Sequence, residues 1–391
     1  MIPKGFLFST VEATIKKPGR KDLSLIYSQV EAYMAGAFTT NKVKASPVKL
    51  DMRKIKSGKG RAVIVNSGNA NACTGTKGME DAVEMSELVA NSLKSERPLV
   101  YVCSTGVIGT PLPMDRIRPK ITELVNNLGE SSLEDVAAAI MTTDTFPKVI
   151  KRRLKIGHKM GVIAGICKGA GMISPRMATM LCFILTDIAV DQETLNKTLH
   201  EAVKRSFNRI TIDGDMSTND TVLIMANGML GNPRITAKSE SYVAFKKSLN
   251  EVTYELSKLI AQDGEGATKL VEIEVKGARR ETDAEKAAFS VANSNLVKTA
   301  IYGNDANWGR IMAALGYSGV DLREDKTDIY FGKIKVAGKG LTTGRDEEAG
   351  EVLRGKYIKI VIDLNIGKSS AKVLTCDMSE EYIRVNAAYR T

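Results

Sequence analysis

Histidine is nearly absent from this chain: two residues, His158 and His200, in 391. A Ser–His–Asp or Cys–His site would have to use one of them, and a two-histidine metal site would need both. His200 falls on the polar side of a helical pattern made by Leu195, Leu199, Ala202, Val203 and Phe207, and His158 stands beside Lys159 in a turn. Neither belongs to a catalytic motif, so chemistry that does without histidine is expected. The five cysteines are scattered, odd in number and without a C-x-x-C pair. This disfavours a disulfide framework and a structural zinc site, so no metal is expected. Most of the cysteines sit in apolar stretches, where buried packing is their expected role. No apolar run approaches the roughly 18 residues of a membrane span. The opening Met1–Gly5 lacks a charged-then-apolar pattern, so neither a signal peptide nor a membrane partner is expected, and the cytoplasm is the expected location. Aromatic residues are few, at 5%. The net charge of +11 would permit nucleic-acid binding, but its densest clusters, Lys151-Arg152-Arg153 and Lys16 to Lys21, have no interleaved aromatics. No nucleic-acid partner is expected, and the charge also suits small anionic substrates.

Length and composition are those of a globular chain of two or three domains. Apolar segments at 61–65, 99–103, 162–167, 180–190 and 221–226 read as strands. Asn66-Ser67-Gly68-Asn69 follows the first and Ser104-Thr105-Gly106 the second, places where ligand-contacting loops are common. Phe245, Leu249, Val252, Leu256, Leu259 and Ile260 set a 3.6-residue period that predicts a helix over 243–262, closed by Asp263-Gly264-Glu265-Gly266. Further helices are expected near 79–94, 133–141 and 191–207, the second begun by a Ser132/Asp135 capping box. Strands are expected again at 270–275, 334–336, 357–364 and 372–375. Without strict βαβ alternation, the order indicates α+β layers. The polar stretch 276–283 is a candidate lobe boundary, and no tandem repeat is visible.

The segment Cys167-Lys168-Gly169-Ala170-Gly171-Met172-Ile173-Ser174-Pro175-Arg176-Met177-Ala178-Thr179-Met180-Leu181 stands out. A strand feeds a glycine-rich loop with one lysine, and an almost continuous apolar strand follows. One reading is a plain strand connection. A phosphate loop of the Gly-Lys-Ser/Thr kind is a second, but Lys168 precedes Gly169 and no such triplet occurs. In a third, the chain cuts itself before Thr179. The freed α-amine, with a pKa of about 7.7–8.0, then serves as the nucleophile's own base.

That segment resembles the self-processing motif of the ornithine acetyltransferase family, also called glutamate N-acetyltransferases. Further blocks match in order: Phe38–Asn41, Asn66–Gly75, Ser104–Gly109, Thr142–Asp144, Ser217–Asp220, Gly303–Arg310 and Asn386–Thr391. The N-terminal region departs from the family, with no glycine in Ser9–Lys16, and Met216 replaces a commonly smaller residue. The resemblance implies a layered αββα-type sandwich, like that of self-cleaving aminopeptidases. It implies cleavage between Ala178 and Thr179 into an alpha chain, 1–178, and a beta chain, 179–391, two copies of each forming a heterotetramer. Thr179 would carry acetyl from N2-acetyl-L-ornithine to L-glutamate in a ping-pong cycle. Thr105 and Gly106 would form the oxyanion hole. Thr142 and Lys168 would hold the substrate α-carboxylate, with Glu265, Asn386 and Thr391 at the far end of the pocket. No cofactor is implied; acetyl-CoA is a second donor in some members, and the residues here leave that open. The alternative is a self-cleaving aminopeptidase or amidohydrolase, in which water removes the acyl group.

Overall fold

The structure is a computed structural model, and it describes residues 1–174 and 180–388. The chain forms two compact units: Met1–Gly169 with Arg176–Asn208 and Met216–Ile260, and Ala170–Pro175 with Arg209–Asp215 and Ala261–Thr391.

In chain order the first unit contains β1 (Phe6–Val11), β2 (Leu23–Phe38), α1 (Ser46–Lys54), β3 (Lys59–Asn69), α2 (Gly75–Ser92), β4 (Val100–Val107), α3 (Met114–Asn126) and α4 (Leu133–Ala139). β5 (Lys148–Ile156), β6 (Lys159–Lys168), β7 (Leu181–Thr186), α5 (Gln192–Arg205), β8 (Thr221–Ala226) and α6 (Tyr242–Gln262) follow. Eight strands make one sheet in the order β4-β3-β2-β8-β7-β6-β5, with β1 on β2. β3/β4 and β7/β8 run parallel; the other pairs are antiparallel.

Alternation along the strands decides which side chains face which layer. Ala62, Ile64, Val100 and Val102 face Met85 and Val89 of α2 and Ile117 and Ile121 of α3. Val63, Val65, Tyr101 and Cys103 face the opposite way, into a second core. Ile166, Phe183 and Leu223 join them there, with Leu133, Val136 and Ile140 at α4. Gly165 is the small residue that lets α6 approach: a Cβ there would lie 2.8 Å from Leu256 and 3.0 Å from Val252. The layered α+β architecture expected from the sequence is present.

The Ser132/Asp135 capping box closes both of its hydrogen bonds. The strand expected over 180–190 ends at Thr186. There the Thr186 hydroxyl accepts the Ile188 N–H at 3.2 Å and the Asp187 carboxylate accepts the Val162 N–H at 3.0 Å, turning the chain. The basic triplet Lys151-Arg152-Arg153 lies on β5, an edge strand bonded, among the described residues, only to β6, where charge discourages pairing with another chain. Among the described residues, no helix is long and apolar enough to cross a membrane.

The second unit carries β9 (Leu270–Ala278), α7 (Glu281–Ala292), α8 (Asn295–Tyr302), α9 (Trp308–Gly316), β10 (Asp328–Phe331), β11 (Ile334–Gly338) and β12 (Leu341–Thr342). α10 (Asp346–Leu353), β13 (Tyr357–Asp363), β14 (Ser369–Cys376) and α11 (Glu380–Ala387) complete it. Its sheet runs β12-β11-β10-β13-β9-β14, with β9 and β13 parallel. Val271, Ile273 and Val275 of β9 and Ile358, Ile360 and Ile362 of β13 share a core with Ala284, Ala288 and Val291 of α7. Residues 276–283 lie inside this unit, covering the end of β9 and the start of α7, so the unit boundary is not there.

Candidate active site

In the first unit, the expected oxyanion residues end β4. β3 and β4 place Ser67 opposite Thr105 and Gly68 opposite Gly106. Gly106 has φ 137°, and a Cβ on it would lie 2.2 Å from the Gly68 carbonyl carbon, so only glycine fits. The Ser104 hydroxyl donates to Asn66 Oδ1 at 2.6 Å. The Asn219 amide donates to the carbonyls of Ser104 and Ala70, both at 2.7 Å. A trans peptide points its C=O and its N–H in opposite directions, so anchoring the Ser104 carbonyl also aims the Thr105 N–H. Thr105 itself is buried.

Lys168 ends β6 opposite Leu181, the first residue of β7. Its buried ammonium lies 3.9 Å from Asp144 Oδ2. Asp144 Oδ2 also accepts the Thr142 N–H at 3.1 Å, so Thr142 and Lys168 meet at this carboxylate. Asp144 Oδ1 accepts from Lys148 Nζ and from the Gly169 N–H, each at 2.7 Å. Burial pushes the Asp144 carboxyl up, but the charges of Lys168 and Lys148 and the Gly169 N–H outweigh it and bring it down to about 2. Asp144 is therefore ionised, with the buried ammonium groups of Lys148 and Lys168 beside it.

Asp220, immediately before β8, is fully buried. Its Oδ1 accepts the Met180 N–H at 3.0 Å, and the Met180 carbonyl accepts the Thr221 N–H at 3.1 Å. Met180 is thus held from both sides. Asp220 Oδ2 has no hydrogen-bond partner among the described residues. Burial raises this carboxyl to about 7, against the lowering effects of the Met180 N–H, the Ser217 hydroxyl, the Lys168 charge and the Thr39 hydroxyl. The Thr39 hydroxyl donates to the Ser217 carbonyl at 2.8 Å, which leaves its proton committed there.

In the second unit, the Glu265 N–H donates to the Ala170 carbonyl at 2.7 Å. A Cβ on Gly171 would lie 2.3 Å from the Glu265 carboxyl, so the glycine-rich loop lies directly on that side chain. The Asn386 amide donates to Glu265 Oε2 at 2.8 Å. Asp213 holds the same loop, accepting the N–H groups of Met172 at 2.6 Å and Ile173 at 2.9 Å, while the Tyr382 hydroxyl donates to it at 3.3 Å. Burial raises the Asp213 carboxyl, against the backbone N–H groups of Asp215, Met172 and Ile173.

Of the expected site residues, Thr142 and Lys168 meet at Asp144, and Glu265 and Asn386 bond to each other. Ala178, Thr179 and Thr391 lie outside the described residues. Asp144, Asp213, Asn219, Asp220 and Tyr382 carry no expected role from the sequence. Asp144 and Asp220 each close a Ser/Thr-containing block already singled out, which was the available signal. Among the described residues no cluster of three or more His, Cys, Asp or Glu is arranged to hold a metal ion.

The ArgJ family model matches residues 7–391. The Geobacter sulfurreducens arginine biosynthesis bifunctional protein ArgJ is 56% identical over 390 residues, which are 99% of either chain. The protein of the same name from Caldanaerobacter subterraneus subsp. tengcongensis is 50% identical over 395 residues, 100% of this chain and 98% of that one. A crystal structure of arginine biosynthesis bifunctional protein ArgJ from Bacillus halodurans matches with 43% identity and a TM-score of 0.52. The match takes in 98% of the solved chain but 53% of this one, so the solved chain is about half as long. From end to end, then, this chain belongs to the ArgJ family.

Proposed function

We propose that this chain is a glutamate N-acetyltransferase of arginine biosynthesis. It cuts itself between Ala178 and Thr179, then moves acetyl from N2-acetyl-L-ornithine to L-glutamate through an acetyl ester on Thr179. The observation that carries the reading is the buried group at the end of β6, where the ammonium groups of Lys148 and Lys168 lie 2.7 and 3.9 Å from the ionised carboxylate of Asp144. Buried ammonium groups at this place suit the α-carboxylate that both substrates share. Arginine biosynthesis stands in the names of the relatives, and the half-length Bacillus halodurans chain supports two polypeptides after cutting.

In the cycle, Thr179 Oγ attacks the acetyl carbonyl, with the Thr179 α-amine taking the proton, and the ornithine amine leaves. Thr105 and Gly106 stabilise the oxyanion, for which the fixed Thr105 N–H and the tight Gly68–Gly106 contact are suited. Lys168 and Thr142 hold the α-carboxylate. Glu265, Asn386 and Thr391 receive the side-chain end; the carboxylate of Glu265 suits the ammonium of ornithine, and Asn386 and Thr391 can donate or accept. Glutamate then takes the acetyl group. The cycle uses no cofactor and runs in the cytoplasm, in an assembly of two alpha and two beta chains.

Mass spectrometry of purified protein tests the cut: two polypeptides, the larger beginning at Thr179, with Thr179→Ala intact and inactive. Intact wild-type protein with full activity overturns the reading. Labelled N-acetylornithine with and without glutamate separates transfer from hydrolysis. Free acetate formed equally in both would make the protein a hydrolase instead. Supplying acetyl-CoA as the sole donor decides whether it also feeds the cycle.

A further inference from the structure

A self-cutting chain faces a difficulty that its finished form does not. Before the cut, Thr179 nitrogen is an amide, and the α-amine that later serves as base does not exist. Another group must accept the hydroxyl proton at the first attack.

Few groups in the first unit can do so. His158 and His200 are exposed, and His200 Nδ1 is hydrogen-bonded to the Asn196 carbonyl of its own helix. Asp144 is close to the motif in sequence, but it accepts three hydrogen bonds and its carboxyl is brought down to about 2, which makes it a poor base. Lys168 is paired with Asp144. Asp220 differs from all of these. It is fully buried, one oxygen grips the N–H of Met180, the residue bonded to Thr179, and its other oxygen has no partner among the described residues. A buried carboxylate oxygen without a donor costs stability, and such atoms are rare enough in folded proteins that each calls for an explanation.

We propose that Asp220 is the base of the self-cleavage step. Its Oδ2 accepts the Thr179 hydroxyl proton as Thr179 Oγ bonds to the carbonyl carbon of Ala178. As the bond from that carbon to Thr179 nitrogen breaks, the same proton passes from Oδ2 to the nitrogen and completes the new amine. The product is an ester between Ala178 and Thr179, which water opens to the two chains. No oxidant or co-reactant is needed, and the proton count balances. The charge facing Asp220 comes from Lys168 on β6; the other groups near it are the Met180 N–H and the hydroxyls of Ser217 and Thr39. With its carboxyl near 7, Asp220 is partly ionised at neutral pH, the condition in which a base both holds and releases a proton well. The proposal rests on Thr179 as the nucleophile.

The test follows cutting of freshly made, pulse-labelled full-length chain after cell-free synthesis, from pH 5.5 to 8.5 (about three units around the Asp220 value). Wild-type cutting should quicken with pH through a midpoint near 7 and then level. Asp220→Asn should cut about 10²–10⁴-fold more slowly at neutral pH and lose that midpoint. Asp220→Glu, which restores a carboxylate, should recover part of the rate. Uncut Thr179→Ala supplies the melting temperature of a folded precursor. Asp220→Asn that melts alike and cuts at the wild-type rate, or cuts slowly but keeps the midpoint, overturns the proposal. Should Asp220→Asn melt far lower, Asp220→Glu decides: folded protein cutting without a titrating midpoint overturns it as well. Thr179→Ala that still cuts overturns the nucleophile reading itself, whatever Asp220 does.

Discussion

Gly106 backs onto Gly68 so closely that a single added carbon would meet the Gly68 carbonyl carbon at 2.2 Å and the Asn69 nitrogen at 2.4 Å. Both contacts are backbone, so no side chain can swing aside. The two glycines therefore set how far β3 and β4 close at the end where Thr105 emerges. Gly106→Ala should force the strand ends apart. The expected outcome is a chain that accumulates uncut and melts lower by an amount equivalent to about 1–3 kcal/mol. A gel and a melting curve check it.

Thr105→Ala leaves that backbone intact and removes only a hydroxyl. Transfer turnover should fall by roughly 10²–10³-fold if the hydroxyl helps hold the oxyanion. On the proposed mechanism the cut should slow as well, since each attack by Thr179 puts negative charge on the oxygen of the carbonyl attacked. Unchanged turnover with a raised KM would move Thr105 to substrate recognition.

Asp144 and Asp220 should give stability opposite responses to pH. The Asp144 carboxyl is lowered from 3.8 to about 2 by Lys168 and Lys148, against its burial. Its contribution is complete above the unfolded value and is lost as pH falls from about 4 towards 2. Burial raises Asp220 from 3.8 to about 7, so the unfolded chain releases its proton first. Stability is therefore lost as pH rises between those values. In Thr179→Ala background, adding Asp220→Asn should remove the second loss and make melting flatter from pH 5 to 7. Adding Asp144→Asn should destabilise at neutral pH by about 3–5 kcal/mol, because two buried lysines lose their carboxylate. Equal pH profiles with and without Asp220→Asn would contradict the assignment.

At the C-terminal end, α11 delivers Asn386 to Glu265. Asn386→Leu leaves Glu265 without that donor. It should still cut itself, because Ala178, Thr179, Thr105 and Gly106 are untouched. Transfer should weaken, chiefly through KM for both substrates. Deletion of residues 386–391 should do the same more severely. Unchanged KM for N-acetylornithine and glutamate in the deletion would refute a binding role for this segment.

Much of this was legible from local pattern. The helix over 242–262, the Ser132/Asp135 cap and the strand over 221–226 follow from periodicity and capping chemistry that act within a few residues. β2 was not legible, because exposed Gln29, Val30 and Glu31 interrupt its middle, where its register with β3 also shifts. β5 shows only its charge in the sequence, since an edge strand need not alternate as a central one does.

By itself the sequence determined the α+β class, the two histidines too few for common triads, and the blocks that mark the family, because these rest on residue type and order. Only the tertiary structure decided that Asp144 joins Thr142 to Lys168, that Asn219 anchors Ser104, and that Asp220 grips Met180 across 40 residues of chain. An aspartate looks the same in sequence whether solvated or buried. Its partners, and with them its charge and its chemistry, are set by residues that only folding brings within hydrogen-bonding distance.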